Sequence, residues 1–384
     1  MDTHEAIRVC HFASGDLWAG AEVQVYNMVS ALNESDAVDV SALLLNEGRL
    51  AKELRDLGVE VEVIDESRHS FAEILTQADR WLDGKNIDII HSHRFKENIL
   101  AAKLRRKQRA RYLVQTVHGL GEPLHGVKRL KAGVMSCTNR LYSRRYFERI
   151  IAVSEDIAVN LLPDFGAERL EVVYNSVEMP VGDAAADRLR IRREFGLDDN
   201  NLLIGTAGRL TPVKAYDQFL LAAKEIAGES PRARFLIAGD GPLGDELKSQ
   251  AKQLGLAEKV IFPGFRNDMP AVIAAMDLFV MSSLHEGIPV VLLEAMALAR
   301  PVVVTAVGGI VEVVQDGRSG RLVQPGNARE LAEACKKLIR DPDSRTRLGL
   351  AAADRVRSEF TRQNQSRRLI EVYGTMIKRS EASK

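Results

Sequence analysis

Short β-branched runs alternate with helix-period segments along almost the whole chain, and this alternation constrains the fold more than any other feature. The strand candidates of the first half are Arg8–Ala13, Val38–Leu45, Val59–Ile64, Ile87–His91, Tyr112–Val117, Ile150–Ser154 and Val172–Asn175. Those of the second half are Leu202–Ala207, Arg234–Ala238, Val260–Phe262, Leu278–Met281, Val302–Thr305 and Arg321–Val323. Between them apolar residues recur at helical spacing, as in Val25, Met28, Val29 and Leu32, and in Phe219, Leu220, Ala223 and Ile226. Strands separated by helices imply parallel sheets covered on both faces. Thirteen strands in 384 residues exceed one doubly wound domain and suit two. The break falls near Glu178–Asn201. There Met179-Pro180-Val181-Gly182-Asp183 has no apolar period, and charged residues run on to Asp198-Asp199-Asn200-Asn201, which reads as a linker with a short helix.

Composition narrows the class. Hydrophobic residues are 46% and charged residues 28%, which excludes a disordered chain and a collagen. The net charge is zero, so nothing supports general nucleic-acid binding, and no nucleic-acid partner is expected. Cys10, Cys137 and Cys335 are odd in number and lack CxxC spacing, which argues against a disulfide framework and fits a reducing, cytoplasmic setting. The opening MDTHEAIRV has neither the basic start nor the apolar run of a secretory signal. No apolar run reaches the roughly 18 residues of a membrane span. The most apolar window, Pro289 to Ala299, is broken by Glu294.

In open parallel sheets ligands bind beyond the carboxyl ends of the strands, so the residues that follow each strand are the candidates. Ser14-Gly15-Asp16-Leu17-Trp18-Ala19-Gly20 follows the first strand and opens a helix. It is either a plain loop or a turn whose N–H groups meet a phosphate, and it is not the GxGxxG dinucleotide fingerprint. His91, His93 and His118 stand at the ends of two further strands. Two readings fit them: side chains bonded at strand termini, or metal ligands. No carboxylate accompanies them, and no metal is expected. Gly208-Arg209-Leu210-Thr211-Pro212-Val213-Lys214 brings an Arg and a Lys onto one loop, as a planar fork and a point charge for an anion. Gly239-Asp240-Gly241-Pro242 reads as a tight turn.

The densest feature is Ser282 to Ala297, SSLHEGIPVVLLEAMA. Pro289 fits the first turn of a helix, leaving the N–H groups of Val290 and Val291 free for an anion. Glu294 lies four residues after Val290, on the same helix face, where it suits a sugar hydroxyl better than a phosphate. Glu286, in the loop before, is free to reach a second polar group.

These residues resemble the E-x7-E motif of the retaining family-4 glycosyltransferases. Glu286 and Glu294 have seven residues between them, and the surrounding Ser, Glu-Gly, Pro, Leu-Glu-Ala-Met-Ala and Pro301-Val302-Val303 follow the family pattern. The likeness continues through Val307-Gly308-Gly309, Glu312, Asp316-Gly317 and Gly320. Upstream it takes in Ala19-Gly20-Ala21-Glu22, His91, His93, Thr116, His118-Gly119, Val153-Ser154, Asn175, Gly208-Arg209-Leu210 and Lys214. Ala19 and Ala215 stand where the family usually has Gly, and Ser176 and Glu178 where it has Gly and Asp.

The resemblance implies an α/β GT-B fold, two Rossmann-like domains facing across a cleft. Residues 1–178 would form the acceptor domain, with 363–384 crossing back onto it; 179–200 would be the linker and 201–362 the donor domain. It implies no cofactor and no metal, a nucleotide-sugar donor, commonly a UDP-sugar, and a glycan or glycolipid acceptor of cell-surface polysaccharide or lipopolysaccharide synthesis. By carry-over Arg209 and Lys214 neutralise the diphosphate and Glu294 holds the ribose. Glu286 contacts the transferred sugar, Gly20 offers an N–H to phosphate, and His118 sits near the anomeric carbon. Arg209, Lys214 and the helix start at Val290 are then the fixed positive groups that a leaving diphosphate needs. Asp341-Pro342-Asp343 reads as a turn and helix cap rather than a metal site. A GT-B-like epimerase or hydrolase, or a binding module without turnover, are the alternatives.

Charge is uneven along the chain. Residues 94–149 hold 15 Lys or Arg against three Glu, and residues 1–93 hold 7 against 18 acids. The basic stretch, Lys103, Arg105, Arg106, Lys107, Arg109 and Arg111, then Lys128, Arg129, Lys131, Arg140, Arg144, Arg145 and Arg149, has apolar residues interleaved in its second part. It is either a solvated helix face or a surface for anionic lipid, on the inner face of the cytoplasmic membrane.

Overall fold

All thirteen runs form strands, with ends within three residues of those expected. The computed structural model describes residues 6–16, 18–119 and 127–381. The strands sort into two parallel sheets in separate units, Met1–Ser176 with Arg362–Lys384, and Val177–Thr361.

In the first unit the strands are β1 Ile7–Ala13, β2 Val38–Leu44, β3 Glu60–Val63, β4 Ile87–Ser92, β5 Ala110–Val117, β6 Arg149–Ala152 and β7 Leu170–Val172. Their order is β3-β2-β1-β4-β5-β6-β7. The chain therefore reverses its direction of sheet growth between β1 and β4, and at such a switch point the flanking loops part and leave room for a ligand. The register sets His11 of β1 directly opposite His91 of β4. Val9, Val25, Met28, Val40 and Ile89 fill one face of the sheet, and Phe12, Leu43, Ile90 and Leu113 the other.

The helix Arg362–Glu381 belongs to this unit, in line with the expected crossing back. Leu369, Val372, Tyr373 and Met376 are buried in the core beside Val25 and Met28 of the helix Gly20–Asn33. A polar lock fixes its start. Arg362 Nε donates to Asn27 Oδ1 at 2.9 Å, and Ser176 Oγ to Gln365 Oε1 at 2.7 Å. Ser176, one of the departures from the family pattern, is fully buried and its hydroxyl has this use.

In the second unit the strands are β8 Leu202–Ala207, β9 Ala233–Ala238, β10 Val260–Gly264, β11 Leu278–Met281, β12 Val302–Thr305 and β13 Arg321–Val323. The order β10-β9-β8-β11-β12-β13 puts the switch point between β8 and β11. Residues 179–200, expected as a linker with a short helix, contain the helix Ala184–Glu194 and lie within this unit. Arg188 donates to Ala275 O at 2.9 Å and to Asp277 Oδ1 at 2.6 Å, while the buried Arg192 reaches Asp198 O and Asn201 O, both at 2.7 Å. Asp341 caps the helix Pro342–Glu359, accepting from the Ser344 N–H at 2.9 Å. Among the described residues no helix is long and apolar enough to cross a membrane.

Candidate active site

The cationic loop after β8 and the Glu-bearing loop after β11 are joined at the switch point of the second sheet. Pro212–Lys214 makes a single 3-10 turn, and the Leu284 N–H donates back to Val213 O at 2.8 Å. Ser282 Oγ lies 2.8 Å from Ala215 O. Lys214 Nζ then meets Glu286 Oε1 at 2.6 Å, and Ser283 Oγ donates to the same oxygen at 2.7 Å. Glu286, expected to be free in its loop, is pinned. Its side chain is 10% exposed and that of Lys214 19%, so solvent screens the pair little. Arg209 differs: its side chain is exposed and makes no ion pair among the described residues. The two cations are thus one committed and one uncommitted.

Glycines allow these loops to touch. A Cβ on Gly308 would stand 1.9 Å from Glu286 O, and one on Gly239 2.0 Å from Gly208 O. The Gly309 N–H donates to Glu286 O at 3.2 Å. The Gly239-Asp240-Gly241 segment is therefore more than a turn: it supports the Arg209 loop from below, with the Leu210 N–H donating to Asp240 O at 2.9 Å. Ala215 has φ 47° and ψ 47°, the left-handed conformation. Gly adopts it freely, whereas an Ala there costs roughly 1 kcal/mol.

The helix after this loop spans Val290–Ala297, with Pro289 as its cap rather than in its first turn. The first intrahelical bonds start from Leu292 and Leu293, both to Pro289 O. Among the described residues the N–H groups of Val290 and Val291 are unspent. The Glu294 carboxylate, one turn on, has no hydrogen bond or ion pair among the described residues, and burial pushes it up to about 7. Desolvation without a partner is the cause, since burial disfavours the charged form.

The first unit carries a histidine cluster at its own switch point. His11 Nδ1 lies 3.0 Å from His93 Nε2, and His93 Nδ1 lies 3.1 Å from His118 Nε2. His91 stacks between them in space, 4.7 Å from both His11 and His93, with its own nitrogens on Tyr373 Oη at 2.6 Å and Thr116 Oγ1 at 2.7 Å. Burial lowers all four imidazoles: His11 to about 3, His118 to about 4, and His91 and His93 well below their usual range. They are neutral at neutral pH. His11, His91 and His93 bring ligand atoms within 4.8 Å of one another, but both nitrogens of His91 are occupied and Arg94 lies close enough to act on His93 and His118. Arg94 is paired with Glu22, which is 2% exposed, so the Glu of Ala19-Gly20-Ala21-Glu22 holds a cation beside the cluster. Gly20 is the first residue of its helix, exposed, with nothing within 4 Å of where a Cβ would stand.

Much of the basic stretch is neutralised internally. Lys107 and Arg109 meet Asp79 at 2.7 and 2.5 Å, Arg111 meets Asp88 at 3.4 Å, and Arg105 meets Glu148 at 3.3 Å. Arg140 and Arg144 share Asp164, both at 3.1 Å, and Arg149 faces Glu171 at 3.7 Å. Among the described residues Lys103, Arg106 and Arg145 have no ion pair. The side chains of Lys128, Arg129 and Lys131 lie outside the described residues.

Residues 187–355 match the family of glycosyl transferases group 1, and residues 18–179 match glycosyltransferase family 4. The chain is similar to the alpha-maltose-1-phosphate synthase of Mycolicibacterium smegmatis, 32% identical over 281 residues that cover 68% of this chain and 72% of that protein. It is also similar to the alpha-D-kanosaminyltransferase of Streptomyces kanamyceticus, 33% identical over 173 residues, where the match spans 44% of this chain and only 45% of that relative's length. Among solved structures, that of Anabaena Alr3699/HepE in complex with UDP-glucose superposes with a TM-score of 0.82 at 23% identity, over 96% of this chain and all of the other, and thereby shows the GT-B fold.

Proposed function

Because the chain belongs to the group 1 and family 4 glycosyltransferases, we propose that it transfers a hexosyl-type sugar, with retention of configuration, from a UDP-sugar to a glycan or glycolipid acceptor. The observation that carries this reading is the Lys214–Glu286 ion pair in the second unit, on the loop that leads into the helix whose first N–H groups, at Val290 and Val291, are unspent among the described residues. A diphosphate fits those donors, with Arg209 as a second cation free to close on it. Glu294 takes the ribose hydroxyls and Glu286 the transferred sugar.

The chemistry follows from where charge develops. As the bond from the anomeric carbon to the phosphate oxygen breaks, its electron pair stays on the diphosphate. Lys214 and the helix start are held in place before that charge develops, so they need little reorganisation, and Arg209 closes on the diphosphate as a second cation. The acceptor hydroxyl adds to the same face of the sugar, and its proton passes to the departing phosphate oxygen. The products are a glycoside of unchanged anomeric configuration and UDP. Incubation with a panel of nucleotide sugars and a glycolipid extract tests the reading, with the product anomer read by NMR. An inverted product overturns the retaining mechanism. Free sugar released at the same rate without acceptor marks a hydrolase instead.

Positive charge at the leaving group comes from side chains and backbone in this scheme. Transfer in chelator is therefore expected to stay within about twofold of that in buffer with magnesium or manganese. Loss of activity in chelator, restored by the metal, would contradict the scheme.

We place the enzyme in the cytoplasm, in peripheral contact with the inner face of the membrane, where a lipid-linked acceptor of polysaccharide or lipopolysaccharide synthesis is presented. The internal ion pairs set the strength of that contact. Among the described residues Lys103, Arg106 and Arg145 are without an ion pair, and each supplies roughly 1 kcal/mol near anionic lipid, which suits reversible association. Co-sedimentation with anionic vesicles at low salt, lost at high salt, is the expected result. Full activity on a soluble sugar with no vesicle binding would remove the membrane from the scheme.

A further inference from the structure

We propose that Tyr216 is a positioning residue of the donor site, whose hydroxyl takes over Glu286 Oε1 when a bound diphosphate draws the Lys214 ammonium away. The diphosphate rests on the function proposed above.

The hydroxyl is an unspent donor inside the second unit. Tyr216 opens the helix Tyr216–Glu229, directly after the left-handed Ala215. The buried Ser282 Oγ tethers the turn before it, at 3.0 Å from Lys214 O and 2.8 Å from Ala215 O. The Tyr216 ring belongs to the apolar core with Ile204, Leu220 and Val280. The residue is 2% exposed, and its Oη is buried without a hydrogen-bond partner among the described residues. Burying a hydroxyl without a partner costs free energy, and such groups are rare in folded proteins. Phenylalanine would fill the same core without that cost, so packing does not account for the oxygen.

The surroundings of the hydroxyl select its acceptor. A Cβ on Gly208 would stand 2.9 Å from Tyr216 Oη and 3.8 Å from Lys214 Cε. The hydroxyl therefore lies against the loop that carries Arg209 and Lys214, in space that a glycine leaves open. The Glu286 charge is near enough to act on the phenol; burial and that charge both raise it above its usual range, so it stays an O–H. Solvent does not reach Tyr216 Oη, and a nucleotide arrives from solvent. Glu286, with a side chain only 10% exposed, is the anion on the inner side.

In the free protein Glu286 Oε1 accepts from Lys214 Nζ at 2.6 Å and from Ser283 Oγ at 2.7 Å. A diphosphate carries more negative charge than one carboxylate and competes for the ammonium. Its success would leave Glu286 with Ser283 alone, and a buried charge stripped of its partner is costly. The Tyr216 O–H offsets that loss by donating to Oε1 as the ammonium leaves. Oε2 stays available to the sugar, and the carboxylate stays pinned through the transfer step. No proton changes hands: one charge-assisted hydrogen bond replaces another.

Calorimetry with UDP tests the exchange as a double-mutant cycle. Tyr216→Phe should weaken UDP binding about tenfold, the loss of one hydrogen bond to a charged group. Glu286→Ala should remove that loss, because no carboxylate then needs holding. The double variant Tyr216→Phe, Glu286→Ala should bind UDP within about threefold of Glu286→Ala alone. A role in packing gives no such rescue. Thermal unfolding without nucleotide should place Tyr216→Phe at or above the unaltered protein, because the deleted hydroxyl had no partner there. With 13Cζ-labelled tyrosine, the Tyr216 signal should move when UDP is added to the unaltered protein and move far less in Glu286→Ala. An unchanged UDP affinity in Tyr216→Phe overturns the proposal. So does a loss that Glu286→Ala leaves intact, which would put the hydroxyl on the nucleotide itself. A lower Tm of nucleotide-free Tyr216→Phe overturns it as well, by giving the hydroxyl a structural use. UDP that fails to bind the unaltered protein removes the donor site and this proposal together, whereas UDP that binds both proteins equally removes the role of Tyr216 alone.

Discussion

Replacing Lys214 by Ala lowers the turnover of glycosyl transfer by about 10²–10³-fold, the usual effect of deleting one preorganised electrostatic group. Lys214 sits at the switch point with its ammonium 2.6 Å from Glu286, so its deletion removes positive charge from the proposed leaving group and also unpins the carboxylate. Arg209→Ala, which removes an exposed cation with no ion pair among the described residues, costs about tenfold or more. The paired and the unpaired cation differ in a measurable way. The losses of Lys214→Ala and Glu286→Ala should be far from additive in the double variant, because the two groups touch. Those of Arg209→Ala and Glu286→Ala should come closer to adding. Thermal unfolding by circular dichroism checks that each variant folds. A folded Lys214→Ala, Arg209→Ala double variant with near-normal kinetics would sink the site.

The second large effect separates the two glutamates. Glu294→Ala should weaken UDP binding by about 10–100-fold, the loss of hydrogen bonds made by a charged group. Glu286→Ala should leave UDP affinity within about threefold and act on the transfer step. Calorimetry with UDP alone measures both, and equal losses of affinity in the two variants would refute the division. The pH dependence sharpens the test. Burial holds the Glu294 carboxyl at about 7 in the free protein. A carboxylate accepts from both ribose hydroxyls, so binding favours the deprotonated form. Affinity should therefore rise as pH increases toward 7 and level off above it. The nucleotide's own phosphate ionises in a similar range, so the comparison is with Glu294→Gln, which should lose the Glu294 share of the slope. For folding the sign is opposite. A carboxyl raised from 4.5 to about 7 costs no stability below 4.5, and its cost grows as pH rises through 7.

The strands were legible because a parallel sheet buried on both faces demands continuous β-branched runs, and Val302-Val303-Val304 or Ile87 to Ile90 cannot satisfy that pattern as amphipathic helices. The donor-side residues were legible because they cluster within single loops, where spacing along the chain equals proximity in space. His11 was not. It lies inside a strand with nothing unusual beside it, and it joins His93 only because β1 and β4 are neighbours. Ser283 gave no signal as the donor to Glu286, nor did Gly308 as the place where two backbones nearly touch. Such contacts depend on which loops a sheet order brings together. The basic stretch misled for the same reason. A net charge of +12 over residues 94–149 is an excess along the chain, and in space Asp79, Asp88 and Asp164 cancel much of it.

The helix Arg362–Glu381 also bears on the order in which the chain can assemble. The first unit is discontinuous, its opening residues waiting for a helix that the whole of the second unit precedes. During synthesis Val177–Thr361 has all of its own strands before the first unit has Leu369, Val372 and Tyr373. The later-made unit is thus able to finish first, while the earlier one emerges with the core face of the helix Gly20–Asn33 uncovered and a hydrophobic surface to protect. Closure delivers Tyr373 to His91 in the same step. The histidine cluster therefore gains its last hydrogen bond only when the nascent chain has released that helix, so a shortened product would lack both the seam of the first unit and the finished site.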